Sequence, residues 1–193
     1  MLLGPYSYKV LSAQEFAPFF HANRNVIFKE DLDINDEAFL SAEESIQIEE
    51  LAKNMGNPFR LYIGIYHNDE QVGWSFGWQE NRYKFYMCNT GILPAHQNKG
   101  IYKKLLPVLV KLLKEKGFQE IYSRHKATNN QVIVPKLQAG FYISKMEICT
   151  TFGVLVHLSY FFNENNRKAL QFWTGQYRPD EAFKKHIKGI GHE

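Results

Sequence analysis

The chain of 193 residues is 45% hydrophobic and 22% charged, a composition that predicts one soluble globular domain over residues 1–193. Its net charge of +3 is too small to indicate a nucleic-acid-binding protein, and its apolar runs are too short to span a bilayer. The two cysteines form neither a metal-ligand spacing nor a disulfide framework, and no signal-peptide pattern begins the chain, so we expect a cytoplasmic protein that binds no metal, nucleic acid or membrane.

The N-terminal part of the chain is predicted to form a short strand and two helices. Residues 7–11 have the alternation of a strand. Ser12 and Glu15 have the spacing of a capping box, which predicts that a helix begins there. Ser41 and Glu44 repeat the box before a second helix, which we expect to end near residue 56.

Alternation of large and small residues predicts a β-hairpin from residue 59 onward. The large residues are Leu61, Ile63 and Ile65 before a turn at 68–70, and Val72, Trp74, Phe76 and Trp78 after it. The small residues of the second strand are Gly73, Ser75 and Gly77. We expect one large-residue face and one small-residue face, and the small face would admit a helix or a ligand closely.

The rest of the chain alternates between strands and helices. Strands are predicted at 83–92, 120–126, 141–150 and 154–162, and helices at 99–116, shortly after residue 130, and at 163–172. Pro107 lies inside the long helix and should bend it, on the face that carries Lys104 and Lys111. This order predicts a mixed, mostly antiparallel central sheet flanked by helices on both faces, in the α/β (α+β) class.

A polar loop that contains Gly100 joins a predicted strand directly to the long helix. The first N–H groups of such a helix have no intrahelical partner, and with the helix dipole they form an anion site. Gly100 would let the backbone approach a phosphate closely. The loop lacks the glycines of a dinucleotide-binding fingerprint and the Gly-Lys-Ser/Thr of a P-loop.

Two segments, in the same order along the chain, resemble motifs of the GNAT N-acetyltransferase superfamily. Residues 97–102, Gln-Asn-Lys-Gly-Ile-Tyr, are similar to the family's Gln/Arg-x-x-Gly-x-Gly/Ala acyl-CoA loop. Asn129, the short helix after it and the dipeptide Gly140-Phe141 resemble the second motif. The resemblance implies a GNAT fold, acetyl-CoA as co-substrate, and transfer of its acetyl group to an amine.

The resemblance also implies which residues bind the co-substrate. The backbone from Asn98 to Tyr102 would hold the pyrophosphate, Gln97 would shape the loop, and residues 90–93 would pair with the pantetheine arm. The implied set is Thr90, Gly91, Ile92, Leu93, Gln97, Asn98, Lys99, Gly100, Ile101, Tyr102 and Asn129. Asn129 would contact the arm, cap the short helix, or do both. Because Tyr102 is bulkier than the family's Gly or Ala, we expect its ring to point into the fold or to stack on the co-substrate.

The catalytic groups are harder to assign. Lys136 stands where the family often has a tyrosine proposed as general acid, and we expect it to be a surface lysine, which leaves the acid unidentified. The strand before the loop has no Asp or Glu, so the candidates for a base are His125, Tyr86 and Cys88. By spacing, Tyr86 and Cys88 would share a face with Thr90. Tyr142 and a water relay are alternatives.

The sequence does not identify the acceptor substrate. A primary amine of a small molecule or of a protein N-terminus fits the resemblance, and a homodimer is compatible with it. The alternative is a catalytically weak CoA-binding module that acts as a sensor or partner subunit, which the missing tyrosine and missing strand carboxylate favour.

Overall fold

The computed structural model describes residues 2–28 and 36–187. The strands are β1 (Leu2–Leu3), β2 (Tyr6–Leu11), β3 (Arg60–His67), β4 (Glu70–Gln79), β5 (Lys84–Ile92), β6 (Glu120–Lys126), β7 (Tyr142–Cys149) and β8 (Gly153–Phe161). The helices are α1 (Ala13–Ile27), α2 (Ala42–Ala52), α3 (Ile101–Glu115), α4 (Asn130–Gln138), α5 (Glu164–Trp173) and α6 (Glu181–Lys184). Short 3-10 helices occupy Asp36–Phe39, Lys53–Met55 and Pro94–His96.

The strands form one sheet in the order β1-β2-β3-β4-β5-β6-β8-β7. Every neighbouring pair is antiparallel except β5 and β6, which are parallel and are connected through α3. A parallel pair needs such a crossover, because its strands run in the same direction. The predicted mixed, mostly antiparallel sheet with helices on both faces is therefore confirmed.

Helix α1 covers one face of the sheet with phenylalanine side chains. The Phe16 ring lies 4.7 Å from that of Tyr62 on β3, and the Phe20 ring lies 5.3 Å from that of Trp74 on β4. Trp74 is completely buried beneath the helix. We refer to this side of the sheet as the α1 face.

Helix α3 covers the opposite face, which we call the α3 face. Leu105, Leu109 and Leu113 recur at helical spacing and are buried in the main core. Pro107 is exposed, and α3 continues through it, since only one helical hydrogen bond is lost on the solvent side. Gly117, with a positive φ of 94°, follows the helix as expected of a terminating glycine.

The prediction that the β3–β4 hairpin has one large-residue face and one small-residue face is wrong. The register sets Ile63 opposite Ser75 and Leu61 opposite Gly77, so the large residues of β3 share a face with the small residues of β4. Trp74, Phe76 and Trp78 of β4 instead point to the α1 face, whereas Val72 packs in the main core. This arrangement lets Leu109 of α3 come close to β4 at Gly77, because large and small side chains complement one another there.

Both predicted capping boxes are present. The Glu15 N–H donates to Ser12 Oγ at 3.3 Å and the Ser12 N–H donates to the Glu15 carboxylate at 2.7 Å. The corresponding distances at Ser41 and Glu44 are 3.2 and 2.8 Å. The helices differ in packing, since α1 buries Phe16 whereas α2 buries no residue.

This difference predicts unequal effects of the same substitution. Ser12→Ala should lower the free energy of unfolding by about 1 kcal/mol, because α1 is part of the core and its cap supports the folded state. Ser41→Ala is the matched control and should change it much less, since α2 can fray without exposing buried surface. Urea unfolding of both variants measures this, and equal losses would contradict it.

Candidate active site at a split between β5 and β6

Strands β5 and β6 separate after a short parallel contact. They pair only through Lys84, Phe85 and Tyr86, opposite residues 120–122. Among the described residues no further pair joins them, although β5 continues to Ile92 and β6 to Lys126. The edge of β5 that faces the split therefore offers backbone N–H and C=O groups to an extended ligand.

A β-bulge at Cys88 reverses the side-chain alternation of β5. Phe76 pairs with Asn89 and Gly77 pairs with Met87, which leaves Cys88 as the extra residue. Tyr86, before the bulge, packs on Trp78 of the α1 face at 4.9 Å between rings. Thr90, after the bulge, points to the α3 face, where its Oγ1 donates to Ser75 Oγ at 2.9 Å. The prediction that Thr90 shares a face with Tyr86 is wrong for this reason.

The loop between β5 and α3 has the features of an anion cradle. Gln97 shapes it as predicted, since its Nε2 donates to the Ile92 carbonyl at 2.9 Å. Asn98 and Gly100 have positive φ angles of 58° and 71°, so the loop turns sharply before the helix. Gly100 is the N-cap, no side chain caps the helix, and a Cβ there would meet no atom within 4 Å. The first N–H groups of α3 thus have no side-chain cap, and the loop is open at Gly100, which fits a phosphate group.

The side chains of the helix start point away from this space. Ile101 is buried in the core, and Tyr102 is half-buried against it. The expectation that the Tyr102 ring makes a hydrophobic contact within the fold is confirmed. Ile92 and Leu93 also pack partly against the core, so residues 92, 93, 101 and 102 can offer only backbone groups to a ligand. Asn129 is exposed at the N-cap position of α4, but its side chain makes no capping hydrogen bond.

Lys136 of α4 lies at the apex of the split. Its Nζ donates to Ser123 Oγ of β6, lies 3.9 Å from Met87 Sδ of β5, and lies 4.8 Å from the centre of the Phe141 ring. The expectation of a surface lysine is wrong, because Lys136 is only 1% exposed. It follows Ile133 by three residues on the face of α4 that packs against the sheet. Burial lowers the pKa of Lys136 to about 7.

His125 lies on the same side of the split as Lys136. Its Nε2 is 2.8 Å from Ser123 Oγ, which connects the two basic side chains through one hydroxyl. Burial, together with the nearby charges of Lys136 and His157, lowers the pKa of His125 to about 3. His125 is therefore neutral at physiological pH and is a weak base.

The other two predicted base candidates lie on the α1 face. Burial raises the pKa of the Cys88 thiol to about 11 and also raises the pKa of Tyr86. Both groups are thus neutral at physiological pH. The structure does not bring the three predicted catalytic residues together, because Tyr86 and Cys88 lie on the side of the sheet opposite His125.

A polar cluster beside Tyr86 was missed by the sequence analysis. The Arg124 Nε donates to the Tyr86 hydroxyl at 3.3 Å, and its Nη1 lies 3.4 Å from Glu147 Oε1. Glu147 Oε2 is 2.7 Å from His157 Nε2, an interaction that lowers the pKa of Glu147. The Tyr122 hydroxyl donates to Glu80. Alternation along β6 could have placed Tyr122 and Arg124 on one face, but their partners come from strands distant in sequence.

The chain belongs to the GNAT acetyltransferase family. The family model, described as Acetyltransferase (GNAT) family, matches residues 26–135, more than half of the chain. A comparison with curated protein sequences found no match.

Solved structures of low sequence identity share the fold. The ribosomal-protein-S5-alanine acetyltransferase from Vibrio fischeri aligns with a TM-score of 0.62 and 14% identity, over 85% of this chain and 97% of that one. A putative acetyltransferase from Salmonella typhimurium, solved with its cofactor acetyl-CoA, aligns with a TM-score of 0.60 and 16% identity, over 83% and 96%. A GNAT family acetyltransferase from Elizabethkingia anophelis with acetyl-CoA bound gives 0.57 and 12%, over 82% and 99%.

Within residues 2–28 and 36–187, every helix is too short or too polar to traverse a bilayer. The same ranges contain no group of three or more His, Cys, Asp or Glu side chains that could hold a metal ion.

The low pKa of His125 gives a testable consequence. Folding lowers this pKa, so the unfolded chain binds the proton more readily, and the free energy of unfolding should fall as the pH drops below about 6.5. His125→Gln should weaken that fall, whereas His21→Gln, at an exposed position, is the control. NMR titration of the folded protein should show no His125 transition between about pH 5 and 8. A transition near pH 6.5 would contradict the burial argument.

Proposed function

We propose that the protein transfers an acetyl group from acetyl-CoA to the primary amine of a small molecule or of a protein N-terminus. The observation that carries the proposal is that the unpaired edge of β5 and the uncapped start of α3 follow one another along the chain. The strand borders the split from Met87 onward, and the loop of residues 93–100 joins its end to the uncapped N-terminus of α3. An extended arm and a diphosphate can be held by two such adjacent features, and membership of the GNAT family agrees with this.

In this proposal the chain binds the co-substrate mainly through its backbone. Residues 98–102 hold the pyrophosphate with their N–H groups, aided by the dipole of α3. Residues 90–93 pair with the pantetheine arm along the edge of β5. When bound, acetyl-CoA supplies the acetyl group as a thioester. An N–H of the strand that is directed at the thioester oxygen would contribute about 10²–10³ in rate.

The acceptor amine enters from the α1 face beside β5 and β6, because α1 packs on β3 and β4 while α3 and α4 cover the other face. The rings of Trp78, Tyr86 and Tyr122 lie next to one another at this entrance, with 4.9 and 5.0 Å between neighbouring ring centres. Glu80 places a carboxylate beside Tyr122, whereas the Glu147 carboxylate already pairs with Arg124 and His157. Aromatic faces and carboxylates both attract an ammonium group, which supports an amine as the acceptor.

The alternative is a CoA-binding module with little activity. The state of the three predicted base candidates favours it, since Tyr86 and Cys88 are neutral and His125 is a weak base. Direct attack does not require a strong base, however. A neutral amine is already nucleophilic, and water can accept its proton after the attack.

Release of free thiol from acetyl-CoA in the presence of an amine panel tests the proposal. The panel should include amino acids, polyamines and short peptides with free N-termini. We expect thiol release that depends on one class of amine. Tight CoA binding without thiol release for any amine would support the binding module instead, and absence of CoA binding would contradict both functions.

The pyrophosphate site predicts a difference between two variants of Gly100. Asp and Asn both tolerate the left-handed conformation at this position, and an added side chain has open space. Gly100→Asp should raise the Kd for CoA roughly tenfold relative to Gly100→Asn, because only Asp sets a negative charge against the phosphates. Calorimetry measures both values, and equal affinities would show that no phosphate lies at this loop.

A further inference from the structure

Lys136 connects the two strands at the point where they separate. The last paired residues are Tyr86 on β5 and Tyr122 on β6. The next residue on each strand is Met87 and Ser123, and the Lys136 Nζ contacts both of these side chains. A co-substrate arm that enters the split from its open end therefore has the Lys136 amine at the closed end.

The surroundings of this lysine do not stabilise its charge. Its partners among the described residues are a hydroxyl, a thioether and an aromatic ring, and none of the described carboxylates forms an ion pair with it. Burial of an ammonium group without an anion is costly, and a methionine of similar length would suit the same space better. Stability alone therefore does not explain a lysine at this position.

We propose that Lys136 donates a proton to the CoA sulfur as the thioester is cleaved, an inference that rests on the proposed acetyl transfer. The acceptor nitrogen forms a bond to the carbonyl carbon, the C–S bond breaks, and its electron pair goes to sulfur. The Lys136 ammonium gives this sulfur a proton, which leaves free thiol and a neutral lysine. The acceptor nitrogen loses its own proton to solvent.

The acidity of Lys136 suits this transfer. Burial lowers its pKa to about 7, which is near the ordinary range of a thiol rather than of a lysine. The free-energy change of proton transfer from Lys136 to a leaving thiolate is then small, and the neutral lysine can recover a proton at physiological pH.

Ser123 and His125 form a hydrogen-bonded chain that leads from Lys136 toward the surface. Ser123 is fully buried and accepts from Lys136, and its hydroxyl lies 2.8 Å from His125 Nε2. His125 is partly exposed, so the chain of three groups runs from the apex toward solvent. Ser123 is thus a positioning residue that holds the Lys136 Nζ in the split.

The first test compares the binding of CoA with that of desulfo-CoA, which lacks the thiol sulfur. Calorimetry should show that the wild-type protein binds CoA several-fold more tightly than desulfo-CoA. Lys136→Met should remove this preference and leave the affinity for desulfo-CoA unchanged. Lys111→Met, an exposed lysine on α3, is the matched control and should keep the preference. An unchanged preference in Lys136→Met would overturn the assignment.

The second test separates catalysis from stability. Lys136→Met should raise resistance to urea, since it removes a buried amine, while kcat falls by about 10²–10⁴ and KM for acetyl-CoA changes little. Ser123→Ala should lower kcat by a smaller factor. If Lys136→Met does not fold, Lys136→Gln is the second neutral variant, and wild-type kcat in either folded variant would overturn the proposal. Failure of the proposed function would be seen separately, as a wild-type protein that binds CoA but releases no thiol.

Discussion

The position at which β5 stops pairing with β6 determines the rest of the site. The closed end of the split is held by an ion pair between Lys84 and Glu120 at 2.9 Å, and Ser159 Oγ donates to the same carboxylate at 3.0 Å. The contact ends with the rings of Tyr86 and Tyr122, 5.0 Å apart. Beyond this row, β5 is bound on one side only. The free edge of β5 and the position of the buried Lys136 at the apex both follow from that separation.

The bound side of β5 is packed too tightly to allow the strand to shift. A Cβ at Gly77 would lie 2.1 Å from the Tyr86 carbonyl oxygen, and one at Gly91 would lie 2.5 Å from the Trp74 ring. Only glycine allows these approaches at normal strand spacing. The bulge at Cys88 forms within this constrained pair, and it reverses the side-chain alternation, so Tyr86 and Thr90 lie on opposite faces. Close packing on one edge and free backbone on the other together fix the geometry of the split.

Local patterns allowed much of the fold to be predicted, whereas the chemistry of the site depends on contacts between distant segments. The capping boxes, helix α3, strand β6 and the loop at Gly100 are set by periodicity and short spacings, which the sequence displays directly. The face on which Thr90 lies could not be predicted, because it depends on a bulge between β4 and β5. The burial of Lys136 could not be predicted either, since its partners Met87 and Ser123 belong to two other strands.

The short parallel contact has a consequence for how the two parts of the sheet communicate. Strands β1–β5 form one continuous hydrogen-bonded ladder, and β6–β8 form another. Three residue pairs between β5 and β6 join the two ladders. Under the proposed function, the pantetheine arm would bond to β5 where β6 does not pair with it, and the co-substrate would then add to the contact between the two ladders.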